Sequence, residues 1–311
     1  MSFRYVKPAG EAVFKDSLTT KMEDRIVPYR QGKGAEAGII GLPLSKSSIS
    51  PSTASEAPAA IRKAFRSLTT YAPGKGDYAG TILDFGDVLM HPTDIGENIA
   101  RLKESIRDML KQEACHRYII LGGDHGISYP SIAAFQEKYG TIGVLQWDAH
   151  HDLRNLEDGG RTNGTPFRSL LEAGILKGEH LVQIGIRDYC NAGAYAEYGE
   201  EKGVRVYTME EVERQGITTI LQKEIARLKT VTDAVYLSVD MDVVDQAFAP
   251  GCPAAGPGGI TSRELISSIA AAAADPSVKA MDLVENDPSK DIRDMTSRLA
   301  AYAMMTFLHA K

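Results

Sequence analysis

One segment of this chain, LQWDAHHDLR at positions 145–154, carries side chains that bind metals, transfer protons or pair with anions. These side chains are Asp148, His150, His151, Asp152 and Arg154. The apolar residues before them are typical of a buried strand, so the polar cluster begins where such a strand ends. In an extended chain alternate side chains share one face, which predicts that Asp148, His150 and Asp152 point the same way. The segment therefore indicates a catalytic or metal-binding site.

Three other apolar runs of the chain end in groups of the same kind. They are GGDHG at 122–126, DMD at 240–242 and VEND at 284–287. Ligands bind beyond the carboxyl ends of the strands in an open parallel sheet, so these distant groups are expected to converge. Carboxylates gathered in a small space cannot all stay ionised without cations. A divalent metal is the natural counter-charge for the set.

The predicted metal ligands are His125, Asp148, His150, Asp152, Asp240 and Asp242. Carboxylates and imidazoles without a thiolate suit manganese, and less specifically iron(II), cobalt or zinc. A set of this size with carboxylates able to bridge favours a two-metal site, which activates water against an electrophilic carbon. Each motif alone has a structural alternative, because Asp148 and Asp242 can cap turns and His125 can be a core histidine. The motifs taken together, each ending an apolar strand, favour the metal site.

The elements that must position these residues alternate along the chain. Strands are predicted at 37–43, 80–88, 117–125, 141–150, 180–188, 204–209, 234–242 and 278–286. Helices are predicted at 57–68, 95–112, 128–138, 209–228, 261–274 and 292–308. This order predicts an α/β fold with a parallel sheet covered by helices on both faces. Without a linker or repeat we expect one catalytic domain over 1–311, with the serine-rich stretch 44–57 as a surface loop near the site.

Composition excludes several classes of function. The 311 residues are 43% hydrophobic and 24% charged, and no apolar run approaches the roughly 20 residues that span a bilayer, so we expect no membrane role. The net charge of -6 without a basic block gives no support to nucleic-acid binding. Cys115, Cys190 and Cys252 form no CxxC pair, and the N-terminus lacks an apolar secretion signal. These features predict a cytoplasmic protein.

The motifs also resemble a known family. GGDHG, DAHHD and SVDMDVVDQAFAPG followed by GPGGITSREL are similar to the signature regions of the ureohydrolase superfamily, which includes arginase and agmatinase. The resemblance runs from about residue 37 to the C-terminus. It implies an arginase-like, three-layer α/β/α fold with a central, mostly parallel sheet, and a binuclear centre with two Mn2+ ions per chain. Family members are commonly oligomers, so we expect a homo-oligomer, with helix 292–308 as a candidate interface.

The resemblance further implies how the ligands divide. One ion would be held by His125, Asp148, Asp152 and Asp242, and the other by His150, Asp148, Asp240 and Asp242. Gly122 and Gly123 would let the backbone pass close to the metals, and Asp245 would support the site.

Two acidic residues are expected to act in the reaction. Glu285 matches the family's glutamate that holds an amidine or guanidine, since a carboxylate can pair with two N–H groups of an amidinium. Asp152 is expected to orient the nucleophile and to handle its proton. His151, on the opposite face of its strand from His150, is predicted to lie behind the ligands.

The choice of substrate depends on the loop LRNLEDGGRTNGTPFRSLLE at 153–172. Asn163 stands where agmatinases have a histidine before Gly-Thr, and Cys190 stands where arginase-like chains supply a further acid. The positive charges of this region, Arg154, Arg161, Arg168 and Arg187, would repel the dication agmatine and attract carboxylates. The pattern resembles the formimidoylglutamases, which hydrolyse N-formimidoyl-L-glutamate to L-glutamate and formamide in histidine degradation. The predicted substrate contacts are Arg154, Asn163, Arg187 and Glu285.

Other functions remain open from the sequence. A guanidinobutyrase or agmatinase-type hydrolase would use the same metals and release urea. A metal-dependent deacetylase needs only one zinc and fewer carboxylates than this chain offers. A metal store or sensor would leave Glu285 and the arginine-bearing loop without a purpose. A small amidine substrate with carboxylate groups is the predicted partner.

Overall fold

The computed structural model describes residues 16–310, so most of the N-terminal stretch in which we expect no secretion signal lies outside the described residues. The strands are β1 Ile26–Pro28, β2 Ala35–Gly41, β3 Tyr71–Ala72, β4 Gly76–Asp77, β5 Ile82–Asp87, β6 Cys115–Leu121, β7 Ile142–Trp147, β8 Leu181–Ile186, β9 Arg205–Thr208, β10 Ala234–Asp240 and β11 Val278–Val284. The α-helices are α1 Ala57–Arg66, α2 Ile95–Lys111, α3 Ser128–Tyr139, α4 Pro166–Glu172, α5 Gly193–Lys202, α6 Met209–Gln215, α7 Ile217–Leu228, α8 Ser262–Ala273 and α9 Met295–Leu308.

Nine of the strands form one sheet in the order β1-β5-β2-β6-β11-β10-β7-β8-β9, and each neighbouring pair is parallel. Side chains of β10 alternate between two apolar cores, with Leu237 and Val239 in one and Tyr236 in the other. Helices α1 and α6 to α9 cover the first core, and α2 to α5 cover the second. The predicted three-layer α/β/α architecture is confirmed.

The local sequence explains where the helices begin and what they bury. Helix α2 starts after Asp94, whose carboxylate accepts a hydrogen bond from the amide of Glu97, and it buries Leu102 and Ile106 at helical spacing. The predicted helix 209–228 is instead two helices, because Gly216 has φ +79° and ends α6.

The sequence prediction missed several elements. The C-terminal part of the predicted loop 153–172 forms α4, which starts at Pro166 and buries Phe167 and Leu170. Helix α5, strand β1 and the short antiparallel pair β3–β4 were not predicted either.

The helices bear on two expectations, the absence of a membrane role and an interface at the C-terminal helix. Among residues 16–310 none of the helices has the length and apolarity needed to cross a bilayer. Helix α9, the candidate interface, packs on α1 and α8 and buries most of its apolar side chains, while Met295 and Tyr302 stay exposed.

Candidate metal centre

Four strands that are neighbours in the sheet, in the order β6-β11-β10-β7, bring the predicted site residues together. His125 follows β6, Glu285 follows β11, Asp240 ends β10 and Asp148 follows β7. Because the strands are parallel, their carboxyl ends meet at one edge of the sheet. The predicted convergence of these distant segments is therefore present in the fold.

The first cluster surrounds the imidazole of His125. Its Nδ1 lies 3.1 Å from Asp148 Oδ2, 2.9 Å from Asp152 Oδ2 and 3.0 Å from Asp240 Oδ2. This nitrogen is buried, yet none of the carboxylate oxygens has hydrogen-bond geometry with it. Ligands of an octahedral ion with bonds of about 2.1 Å are separated by about 3.0 Å from one another. The spacing therefore fits the shell of one metal ion better than a set of hydrogen bonds.

The second cluster surrounds His150. Its Nδ1 lies 3.0 Å from Asp242 Oδ2 and 3.5 Å from Asp148 Oδ1. Asp148 thus presents one carboxylate oxygen to each histidine, as a bridging ligand does. Both groups, His125 with Asp148 and Asp152, and His150 with Asp148 and Asp242, are compact enough to hold an ion. This arrangement has room for two cations that share Asp148.

The structure corrects the division of ligands that the family resemblance implied. Asp240, and not Asp242, lies against His125, whereas Asp242 lies against His150. The reason is local: Asp240 is the last residue of β10, and Asp242 belongs to a 3-10 turn, Met241–Val243, that carries its carboxylate toward β7. The amide of Asp242 donates a hydrogen bond to Asp240 Oδ1, which orients the Asp240 carboxylate.

The acidity of the cluster shows how strongly it requires positive charge. Burial and then the charge of Asp148 raise the pKa of Asp152 to about 6. Burial and the charges of Asp242 and Asp148 raise the pKa of Asp240 well above its ordinary value. For His125 burial lowers the pKa, but Asp152 and the adjacent carboxylates outweigh burial and raise it well above its usual range. Without cations the cluster must hold extra protons, and divalent ions would take their place.

The backbone that presents these residues is not the extended chain that the sequence suggested. Strand β7 ends at Trp147, so Asp148, His150 and Asp152 lie beyond it and strand alternation does not explain their common direction. Instead Asp152 has φ +53°, in the left-handed region, and Glu285 has φ +60°. Non-glycine residues in this region are uncommon and cluster at functional sites.

His151, predicted to lie behind the ligands, also lines the cavity beside them. It is buried, and its Nδ1 lies 2.7 Å from Gln183 Oε1. The Gln183 amide nitrogen donates to Gln146 Oε1, and the Gln146 amide nitrogen donates to Asp148 Oδ2 at 2.7 Å. This chain of amides holds the bridging carboxylate from behind.

The hydrogen bonds that orient Glu285 all end on one of its two carboxylate oxygens. Its Oε1 accepts from the backbone amide of His125 at 2.7 Å and from Asn163 Nδ2 at 3.0 Å. Burial, and then the charge of Asp124, raise the pKa of Glu285 to about 8. Because both donors bind Oε1, Oε2 is left to face the cavity that Glu285 lines.

A cavity of about 320 Å³ opens above the two clusters. Besides the predicted metal ligands other than Asp148, its lining includes Ser50, His151, Arg154, Asn163, Cys190, Tyr195 and Glu285. This volume suits a small metabolite. Tyr195 belongs to the unpredicted helix α5, and no signal in the sequence connected it with the site.

The four arginines that the sequence singled out have different environments. Arg154 is exposed at the cavity, and its side chain packs against Gly164. Arg161 lies over the ring of Tyr129 at 4.6 Å. Arg168 pairs with Glu172 and lies over the ring of Tyr198 at 3.5 Å. Of the four, Arg154 alone lines the cavity.

The placement of Arg187 does not support its predicted contact with substrate. Strand β8 ends at Ile186, and the buried side chain of Arg187 turns beneath the neighbouring strand end. Its Nη2 donates to the backbone carbonyl of Asp242 at 2.5 Å. Arg187 therefore supports the turn that carries Asp242. Asp245, predicted to support the site, instead accepts hydrogen bonds from backbone amides of its own loop.

Hydrogen bonds connect the loop 44–56 to the site. Two of the residues that form them, Ser47 and Asp124, were not predicted to act there. Ser47 Oγ donates to Asp124 Oδ1 at 2.5 Å, and the carbonyl of Ser47 accepts from the amide of Asn163. Asn163 Oδ1 accepts from the amide of Ile49 at 3.0 Å. Asp124 stands directly before His125 in GGDHG, so its position at a strand end was the available signal. The loop is thus held at the cavity mouth by the residues next to the cluster.

Gly122 and Gly123 are required by close packing of the protein itself. A Cβ on Gly123 would lie 1.7 Å from the carbonyl oxygen of Leu44, a backbone atom that cannot turn aside. On Gly122 it would lie 2.6 Å from a methyl group of Val284. The glycines let the loop and β11 pack closely on the end of β6.

A Gly123→Ala variant is therefore expected to be destabilised by at least about 3 kcal/mol, at the upper end of overpacking effects. Urea unfolding of the metal-free protein measures this change. Gly193→Ala is the matched control, because a Cβ there meets nothing within 4 Å and the site starts helix α5. Equal stability of the two variants would contradict the close approach of Leu44.

Comparison with known proteins agrees with the fold. The model of the arginase family matches residues 35–310, and this chain belongs to the arginase family. A formimidoylglutamase from Halalkalibacterium halodurans is 53% identical over 305 residues, which cover 97% of this chain and 95% of that protein. The crystal structure of formimidoylglutamase from Bacillus subtilis superposes with a TM-score of 0.94 at 42% identity, covering 98% of this chain and 95% of that one. Proclavaminate amidinohydrolase from Streptomyces clavuligerus superposes with a TM-score of 0.83 at 30% identity, covering 95% and 97%.

Proposed function

We propose that this chain is a formimidoylglutamase, which hydrolyses N-formimidoyl-L-glutamate to L-glutamate and formamide. The observation that carries the proposal is the polarity of the cavity. A buried carboxylate, Glu285, lies beside the two acidic clusters, and an exposed guanidinium, Arg154, lies at the same cavity. A substrate with a cationic amidine at one end and carboxylates at the other is complementary to this arrangement. The two formimidoylglutamase relatives support the same substrate.

We also propose that two Mn2+ ions per chain bind in the clusters. Oxygen and imidazole donors without a thiolate suit manganese, and the crowded carboxylates require compensating charge. His125 with Asp148, Asp152 and Asp240 would hold one ion, and His150 with Asp148 and Asp242 the other. The bound ions would supply Lewis acidity and a water nucleophile ionised at neutral pH.

The residues around the cavity have separate tasks in this scheme. Glu285 Oε2 pairs with the N–H groups of the formimidoyl group and holds its carbon in place for attack. Asn163 keeps the Glu285 carboxylate in this orientation through Oε1. Asp152 orients the attacking water, takes its proton on the carboxylate and returns that proton to the glutamate nitrogen when the bond between this nitrogen and the formimidoyl carbon breaks. Arg154 binds a carboxylate of the glutamate portion, which fixes the substrate in one direction.

Product analysis tests the function directly. Manganese-loaded protein is incubated separately with N-formimidoyl-L-glutamate, 4-guanidinobutyrate, agmatine and arginine, and formamide, glutamate and urea are measured. We expect formamide and glutamate from the first compound and no urea from the others. Release of urea would keep the metal centre but assign the chain to the guanidine-hydrolysing branch of the family.

Arg154→Ala is expected to raise the KM for N-formimidoyl-L-glutamate about 10-fold to 100-fold, the loss of one charged hydrogen bond. The kcat and the metal content should change little, because the guanidinium contacts none of the ligands. Arg161→Ala is the matched control, since it removes the same charge from the same loop while Arg161 lies on Tyr129. Steady-state kinetics on both variants measure the two KM values. An equal rise in both would mean that the overall charge of the loop, and not a contact of Arg154, attracts the substrate.

A further inference from the structure

A buried polar network lies behind the His125 cluster, inside the core that α2 to α5 cover. Its centre is Asp282 of β11, which is fully buried. Its Oδ1 accepts from Ser238 Oγ at 2.9 Å and from the amide of Val239 at 3.2 Å. Its Oδ2 accepts from Ser128 Oγ at 2.7 Å and from the Tyr236 hydroxyl at 3.0 Å. The mechanism proposed above gives this carboxylate no role.

The parallel sheet places the network next to the site. Ser238 of β10 is in register with Asp282 of β11, so the two side chains are direct neighbours on one face of the sheet. Ser238 Oγ lies 3.0 Å from Nε2 of His125, the ring nitrogen that faces away from the carboxylates. A continuous path therefore runs from Asp282 through Ser238 to His125.

The hydrogen bonds along this path favour one tautomer of the imidazole. The amide of Val239 can only donate, so Asp282 Oδ1 is an acceptor at that point. Ser238 has one hydroxyl hydrogen and gives it to the same oxygen, so toward His125 it can only accept. Nε2 must then carry a hydrogen, so Nδ1, which faces Asp148, Asp152 and Asp240, is the nitrogen that keeps a lone pair when the ring is neutral.

We propose that Ser238 and Asp282 are positioning residues that hold His125 in the form in which Nδ1 is a metal ligand. The inference depends on the proposed metal centre and adds residues that lie outside the ligand set. Ligating histidines commonly donate their second N–H to a neighbouring acceptor, and loss of that partner lowers metal affinity about 10-fold to 100-fold. Here the acceptor is a serine whose own direction is set by a buried carboxylate.

The test is a titration of free Mn2+, followed by electron paramagnetic resonance, on the complete protein. Wild type is expected to bind two ions per chain. Ser238→Ala should bind one of them as wild type does and the other, in the His125 cluster, about 10-fold to 100-fold more weakly. With saturating Mn2+ its kcat should recover while the KM for substrate stays unchanged. Ser169→Ala, which removes another buried hydroxyl, is the matched control and should titrate as wild type.

Asp282→Asn separates the direction of the hydrogen bonds from the charge of Asp282. The fixed amide of Val239 will keep the side-chain oxygen on its own side, while the new NH2 faces the Ser128 and Tyr236 hydroxyls, which can rotate to accept. Ser238 then still donates to an oxygen, and Mn2+ affinity is expected to stay near that of wild type.

Three results overturn the inference: unchanged Mn2+ binding in Ser238→Ala, equal weakening of both ions, or a loss in Asp282→Asn as large as in Ser238→Ala. A different result would contradict the proposed metal centre itself: in that case wild type would bind no Mn2+. A folding defect in Ser238→Ala is recognised by its thermal unfolding without metal. In that case Asp282→Leu, which takes away the acceptor of the serine hydrogen, must weaken the His125 ion alone, and failure to do so also overturns the inference.

Discussion

An Asp148→Asn variant is expected to lose tight binding of both cations. Asp148 is buried and gives Oδ2 to the His125 cluster and Oδ1 to the His150 cluster. Both oxygens already accept hydrogen bonds, Oδ1 from the amide of His150 and Oδ2 from the amide nitrogen of Gln146. The NH2 group of an asparagine would therefore oppose a donor in either orientation and would also withdraw a ligand from one ion. Removing one partner from a buried charged set costs about 3–5 kcal/mol, or about 10²-fold to 10⁴-fold in affinity.

Metal content after gel filtration and thermal unfolding with and without Mn2+ measure this effect. Wild type is expected to gain stability on binding Mn2+, because the ligand binds only the folded state. Asp148→Asn should lose that gain, so that its unfolding temperature is the same with and without Mn2+. Asp275→Asn is the control, since Asp275 contacts Ser277 and Lys229 far from the carboxyl ends of the strands. Two ions per chain in Asp148→Asn would refute the assignment of Asp148 as the shared ligand.

Glu285→Gln is expected to lower kcat/KM by about 10²-fold to 10⁴-fold with both ions retained. The glutamine oxygen can take the place of Oε1 and accept from the amide of His125 and from Asn163, so the fold is preserved. Its NH2 group then faces the cavity and opposes the N–H groups of the substrate. Two charge-assisted hydrogen bonds are lost, each of about 1.5–3 kcal/mol.

Steady-state kinetics together with metal analysis check this second prediction. Glu224→Gln provides the contrast, because Glu224 is equally buried but pairs with Arg205 and Arg227 away from the site. That variant should unfold at a lower temperature and keep its kcat/KM at moderate temperature. Full activity of Glu285→Gln, or loss of its metal, would show that Glu285 does not act on the substrate.

Much of the architecture could be predicted because hydrophobic pattern and fold agree. Runs such as those that became β6, β7 and β10 are buried on both faces, which gives continuous apolar stretches followed by polar residues. Once a parallel sheet is assumed, the ends of these runs must meet at one edge. The gathering of His125, Asp148 and Asp240 therefore followed from elementary rules.

Finer features of the site depend on backbone geometry that the residue pattern does not encode. The predicted strands ran two to four residues too far, and all the predicted ligands except Asp240 lie in the turns that follow. A 3-10 turn decides which histidine Asp242 approaches, and a left-handed residue decides the direction of Asp152. Charge alone also could not tell the exposed Arg154 from the buried Arg187, because tertiary packing determines where a long side chain ends.

Asn163 connects the loop at the cavity mouth with the carboxylate of Glu285 inside the cavity. One end of its amide holds the loop through Ile49, and the other end holds Glu285. A mutation at this position therefore changes the entrance of the cavity and the orientation of the carboxylate in a single step. Evolution toward another substrate through position 163 has to restore the loop by a second, compensating substitution, so the history of this site is expected to be one of paired changes rather than isolated ones.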